Sequence, residues 1–522
     1  MQRRRFLGSG LATASILAAP AIAQPASVLR FIPQANLTVL DPVWTTATVT
    51  FNHAWYVFDT LYGTDSQGRH RPQMADGHTV SDDGRAWRFR LRDGLFFHDG
   101  EPVRALDCAA SLSRWAKRDP FGQLLDRVVD SWGAADDRTV EIKLKRPFPL
   151  LLDAIAKSDG AAFIMPERLA KTDANTAVRE VVGSGPFRFV ADEYNSGSRT
   201  VYARFDKYLP RQEPPDGTAG GKVAHFARVV WNVIPDPATA AAALQNNEAD
   251  WWERPLVDLI PSLLKNPAIR AEVTDPAGRL ALMRLNHLQV PFNDIGLRRA
   301  VRATVRQDDY MRASRGDDEK LWTTSLSLFP RHTPYFREER DLMPGSLEAA
   351  RALLKEAGYA GQKVSIINPT DFPDIGPLGQ VTFDNLKKAG MNVELRDSDW
   401  GTVVQRRASR EPVEKGGWSI FHTTGGAPAY GSPVTSPLVR GQGERGWFGW
   451  WTSPKAEELT EAWVAATDAA TQARLAHELG RLALDEVATI PVGQFYLQTA
   501  FRTSLTGMIK GVSPFPWGIR PA

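Results

Sequence analysis

One cysteine, Cys108, stands among 522 residues. No disulfide can form within the chain, so core burial alone must hold it together. Charge of one sign is scarce as well: 63 Lys and Arg face 60 Asp and Glu. Residues 1–23 contain Arg3, Arg4 and Arg5 and no acid, so beyond them the two signs balance at 60 each. That balance gives no electrostatic reason to expect nucleic acid or an acidic surface as partner. Long apolar runs are missing too. Phe6–Ala19 is too short and too rich in Gly and Ala to span a bilayer, and no later stretch is long and apolar enough to anchor the chain. Catalytic signatures are also lacking. There is no G-x-S-x-G elbow, no H-E-x-x-H, no C-x-x-C and no P-loop. The nine histidines include no pair at i, i+4, and no cysteine cluster supports a metal. A carboxylate pair for hydrolysis needs only closeness in space, so a secreted hydrolase stays open as an alternative. No internal repeat or low-complexity run is present.

What is there begins with the N-terminus. "RRRFLGSGLATASILAAPAIAQP" combines a charged start, a modest apolar run and Ala21-Ile22-Ala23. This reads as an export signal cut after Ala23. Arg-Arg-x-Phe-Leu fits the twin-arginine pattern, with a general secretory signal as the alternative. The chain as a whole is ordinary in composition, 43% hydrophobic and 24% charged, and long enough for two or three domains. Sixteen Trp is a high count, and Trp suits ligand walls by offering a flat apolar face and one donor.

"AWRFRLRDGLFFHDGEPVRALDCAASLSRW" (86–115) is the densest passage. Trp87, Phe89 and Leu91 alternate with arginines, the period of a half-buried strand. Asp93-Gly94 and His98-Asp99-Gly100 read as turns. A helix is expected from about Val103, with Asp107 in its first turn. His98 beside Asp-Gly reads as structural. In the second half, Ser346 caps a predicted helix that Gly358 stops. A strand at 364–367, a helix at 378–389 and a strand at 391–396 follow. This alternation predicts a mostly parallel sheet. Two further helices, 454–467 and 470–487, precede a strand-like run, "TIPVGQFYLQTAF". Arg211–Gly221 and Gly425–Gly446 read as flexible.

Leu91–Gly94, Phe97–Pro102 and Asp107 together resemble the signature of the family 5 extracellular solute-binding proteins, the peptide/nickel-type receptors of ABC importers. Further matches follow in order: "LDP" (40–42), "GSGPFRF" (183–189), "FDKY" (205–208), "LQNNEADWW" (244–252) and "RLNHLQVPFNDIGLRRAV" (284–301). The resemblance implies an α/β, two-lobed periplasmic binding protein of the large type II, three-subdomain variant. Its ligand cleft lies between the lobes, and a two-segment hinge is expected near 278–286 and 490–500. The implied division is 24–66, 184–278 and 497–522 for the first lobe core, 67–183 for its accessory subdomain, and 279–496 for the second lobe. It also implies a periplasmic monomer that is not an enzyme and needs no cofactor. Its partners would be a peptide-like or other small organic ligand and an inner-membrane permease with separate ATPase subunits. A sensor feeding a chemoreceptor is a further alternative with the same fold.

Peptide-binding members hold the ligand's α-amino group with an acid placed as Trp-x-x-Asp. Here Trp418 matches, Phe421 stands where the acid should be, and no Asp or Glu occurs between Glu414 and Glu444. Asp371, Asp374, Asp397 or Asp399 would have to replace it. Otherwise the ligand has no free α-amino group there, because a buried ammonium needs a partner. The residues expected to line the ligand site are Trp44, Phe121, Trp400, Trp418, Phe421, His422 and Thr423, with His422 as a pH-sensitive donor or acceptor.

Overall fold

A computed structural model describes residues 27–522 except His332 and Thr467. The expected export signal and cleavage site lie outside those residues. Three larger sheets organise the chain. A seven-stranded sheet runs in the spatial order 187–189, 199–204, 228–232, 28–32, 251–252, 498–502 and 269–273. A six-stranded sheet has the order 322–323, 490–495, 279–285, 420–426, 363–369 and 392–398. A four-stranded antiparallel sheet is built from 75–80, 86–91, 139–144 and 129–136. The seven-stranded and six-stranded sheets each organise one lobe, and the four-stranded sheet forms a further layer.

In the first sheet, aromatic rings do much of the packing. Phe31 meets Trp251 edge-on at 4.8 Å and Trp231 at 5.4 Å between centroids. The helix Thr48–Val57 buries Trp55, Tyr56 and Val57. The four-stranded sheet follows the alternation read from the sequence. Trp87, Phe89 and Leu91 are buried, whereas Arg88 and Arg90 are exposed. The helix after it spans Ala105–Ala116. Asp107 in its first turn accepts from the Arg104 amide at 2.8 Å and from the Glu167 amide at 2.7 Å. His98 lies against the Gly183–Gly185 turn, with Nε2 3.0 Å from the Gly185 carbonyl. Burial pushes its pKa down to about 4, which fits a structural role.

The second lobe contains the capped helix, Leu347–Glu356, with the Ser346 hydroxyl accepting from Ala349 N. Strand Lys363–Pro369, helix Gly376–Ala389 and strand Asn392–Ser398 complete one parallel unit. The expectation of a mostly parallel sheet is corrected here. Strands 279–285 and 490–495 pair antiparallel with all their neighbours, and the parallel pairings are confined to 363–369 with 392–398 and with 420–426. Strand 279–285 arrives directly from the first lobe and 490–495 leads directly back to it, which helix–strand alternation within the second lobe does not register.

The chain crosses between the large sheets twice, between Val273 and Arg279 and between Phe495 and Gln498. The crossings touch. Gly278 adopts φ +72°, and a Cβ there would sit 2.8 Å from the Phe495 carbonyl oxygen. Only glycine satisfies both demands. The segment 425–446, read as flexible, is instead pinned by buried Tyr430, Val434, Leu438 and Val439. Residues 211–221 are tied by paired backbone hydrogen bonds, including Gly221 N to Glu213 O.

Candidate ligand-binding cleft

A cleft of about 890 Å³ opens between the lobes. The first lobe contributes the loop 42–48 and the start of the following helix. The accessory layer contributes 115–120 and 157–160, and the second lobe contributes 404–410, 423–430 and 440–450. Five tryptophans face it: Trp44, Trp55, Trp115, Trp447 and Trp450.

The accessory wall is set by Asp119, which caps the helix Pro120–Val128 by accepting from Phe121 N and Gly122 N. It also pairs with Lys157. Two residues on, Asp159 faces the cleft and makes no hydrogen bond or ion pair among the described residues. Burial raises its pKa, with Lys157 and Arg279 acting in opposition.

On the second lobe, strand Ile420–Gly426 pairs with Arg279–Leu285 and ends at the cleft. Gly425 admits the Tyr430 ring, since a Cβ there would lie 1.9 Å from the phenol oxygen. Asp399 caps the helix Trp400–Arg406 through Thr402 N. Arg407 follows at its C-terminus and is only 1% exposed. Its guanidinium lies 4.9 Å from the Phe448 ring centre, 5.8 Å from Trp400 and 6.0 Å from Phe421. One Nη donates across the cleft to Thr46 Oγ1 at 3.2 Å, and Nε has no partner. Arg279 donates from Nη2 to Thr48 Oγ1 and the Thr424 carbonyl, each at 3.3 Å, and its Nε is also unpartnered. Burial lowers both arginines to about 10, so both stay charged at neutral pH. Neither makes an ion pair among the described residues. Arg440 is matched by Glu457, Arg410 by Glu444 and Arg127 by Glu461, whereas the exposed Lys117, Arg118 and Arg445 also line the cleft without an ion pair among the described residues.

Of the seven residues singled out from the sequence, Trp44 and Thr423 line this cleft. Five do not. Phe121 is packed against Phe148. Trp400 is packed against Phe372. Trp418 is fully buried, stacked edge-on with Phe421 at 5.0 Å, and its Nε1 donates to the Ser409 carbonyl at 3.1 Å. Phe421 and His422 lie on a strand buried on both faces. His422 Nε2 is 2.8 Å from Thr382 Oγ1, and burial pushes it down to about 3. It is therefore neutral across the physiological range, not pH-sensitive. The proposed substitute acids are also engaged elsewhere. Asp371 accepts from Trp400 N, Asp397 from Asn368 and Asp399 from Thr402. Asp374 lies between Arg254 and Arg315.

Arg407, Arg279, Asp159, Tyr430, Trp447 and Trp450 were not anticipated. For Arg407 a signal was present. Trp400, Val403, Val404 and Arg407 fall at helical spacing, which puts a guanidinium on an apolar stripe.

Two lobes around a cleft, joined by two adjacent crossings, define the class of two-lobed solute-binding proteins. The profile of bacterial extracellular solute-binding proteins, family 5 Middle, matches residues 69–442, and the chain belongs to that family. It is 37% identical to the probable peptide ABC transporter periplasmic-binding protein of Sinorhizobium fredii, with all of both chains covered. It is 26% identical to the glutathione-binding protein of Pectobacterium atrosepticum, over 81% of this chain and 78% of that one. Among solved structures, the dipeptide-binding protein of a Pseudoalteromonas species in complex with Met-Leu superposes with a TM-score of 0.79. It is 18% identical, covering 95% of this chain and 100% of that one. A binding protein from Agrobacterium tumefaciens in complex with agropinic acid gives a TM-score of 0.77 at 19% identity, covering 95% and 99%.

Proposed function

We propose that this protein is the periplasmic receptor of an ABC importer. It captures a peptide-like or other small organic solute between its lobes and presents the closed form to an inner-membrane permease driven by separate ATPase subunits. The observation that carries this reading is the cleft of about 890 Å³ walled by both lobes, next to paired crossings. That volume suits a ligand of drug or short-peptide size. Only the closed state lets both walls touch one ligand, so binding drives hinge closure. In this reading the receptor is an exported monomer cut after Ala23. It divides into 24–66, 184–278 and 497–522, with 67–183 as accessory subdomain and 279–496 as second lobe. Its relatives' names and its full-length match to a periplasmic peptide receptor support the assignment.

Small-angle scattering tests it. Protein stripped of ligand should show a larger radius of gyration than protein saturated with the compound released from it by denaturation. An equal radius in both states argues against a receptor that works by closure.

A further inference from the structure

The four-stranded layer shares no strand with the six-stranded sheet, and the chain crossings at 273–279 and 495–498 do not join the two. They meet across the cleft through side chains of helix Pro120–Val128. Gln442 Nε2 donates to Gln123 Oε1 at 2.8 Å, and Arg440 Nη1 donates to the Pro120 carbonyl at 3.0 Å. Arg127 reaches Glu461 at 2.8 Å and Glu457 at 3.5 Å. Both halves are firmly mounted. Gln123 Nε2 donates to the Lys117 carbonyl at 3.1 Å, which leaves its oxygen to accept from Gln442. On the other side Glu457 accepts from Arg440 Nε at 2.9 Å, from its Nη2 at 2.7 Å and from the Gly441 amide at 3.0 Å. The Arg440 side chain is 1% exposed, whereas Arg127 is 44% exposed. None of these residues belongs to a crossing, so rotation of one lobe about the crossings must part them.

Resting on the receptor reading, we propose that Gln123, Arg127, Arg440 and Gln442 form a clasp that holds the lobes shut and sets how long a solute stays inside. The clasp is protein on protein. It favours the closed state whatever fills the cleft, whereas a wall residue acts through the solute it touches. The receptor stripped of solute therefore keeps a closed population, and release waits for the clasp to part. Its strength is divided between two crossing hydrogen bonds, which salt hardly affects, and one exposed ion pair, which salt screens.

The test uses the full-length exported protein, stripped of solute by unfolding, refolded and then spin-labelled at Asp130→Cys and Arg474→Cys. Both positions are exposed, and the native Cys108 is buried. Distances between the labels should fall into a short, closed population and a longer, open one. Gln442→Ala should lower the closed-to-open ratio about fivefold, the scale of one hydrogen bond. Gln123→Ala should do the same, and the double variant should fall no further, because the two act through one bond. Arg127→Gln should lower the ratio about twofold, and raised salt should reproduce that loss in wild type but not in this variant. The compound freed by unfolding should leave each variant faster than wild type by the same factor. Melting temperatures should stay within about 2 °C of wild type. A stripped wild type without a closed population, a ratio that Gln442→Ala leaves unchanged, additive losses in the double variant, or a fall of several degrees in melting temperature each overturns the clasp. If the freed compound closes wild type and Gln442→Ala to the same ratio, the clasp fails and the receptor stands. If neither stripping nor the freed compound moves the wild-type distances, the receptor reading itself fails.

Discussion

Lys222 and Arg407 are two of the cations buried against aromatic rings in this molecule, and they are built differently. Lys222 is fully buried, 5.1 Å from the Trp55 ring centre and 4.9 Å from that of Trp517. Its ammonium has an answering charge: Asp59 Oδ1 lies 2.7 Å away, and the Tyr208 hydroxyl donates to the other carboxylate oxygen at 2.9 Å. Arg407 has a similar aromatic surrounding, one hydroxyl and no carboxylate. The Lys222 network is closed within the first lobe. The Arg407 network is open at a cavity. Lys222 is answered by a carboxylate inside its own lobe, whereas Arg407 is left at the cavity without one.

The sharpest way to break this contrast is Asp59→Ala. It strands Lys222 and should cost about 3–5 kcal/mol in urea unfolding. A loss below about 1 kcal/mol would mean that the pair contributes no more than a surface one, and the contrast with Arg407 would fail. Trp418→Ala probes the wall behind Arg407. Because the indole is core and not cleft, it should cost about 3–5 kcal/mol of stability, whereas the affinity of the protein that remains folded should stay close to that of wild type. A selective loss of affinity with normal stability would return Trp418 to the ligand site.

The third and smallest effect is pH dependence. His53 and His422 are pushed down to about 3 and His98 to about 4, chiefly by burial. A histidine depressed in the folded state adds stability above its unfolded pKa and loses it as pH falls towards the folded pKa. Below about pH 6.5 the unfolded chain binds the extra protons, so each such group should cost up to about 1.4 kcal/mol per pH unit. Urea midpoints should therefore drop between neutral pH and about pH 5, and His422→Gln should flatten that slope. Identical slopes for the variant and wild type would show that His422 titrates normally.

The period-two strand at 86–91, the capped helix after Ser346 and the helix Gly376–Ala389 were legible because each rests on neighbours in sequence. The mixed sheet was not, because its central strands come from the crossings. The candidate site was legible only in Trp44 and Thr423. Motif position led to Trp418, Phe421 and His422, but their strand is covered on both faces. Arg407 was hidden among Arg406 and Arg410, which make surface contacts. Only its phase with Trp400, Val403 and Val404 set it apart. Asp159 had no local signal at all, since its lack of a partner is a property of three-dimensional neighbours.

Strand 498–502 inserts between 251–252 and 269–273 in the first sheet. During synthesis that sheet therefore waits, with two unpaired edges facing a gap, while more than two hundred intervening residues emerge. The six-stranded sheet draws all its strands from the contiguous span 279–495 and waits for nothing beyond it. The lobe begun first is thus finished last. A nascent chain halted before residue 498 carries a completed second lobe tethered to an open first one.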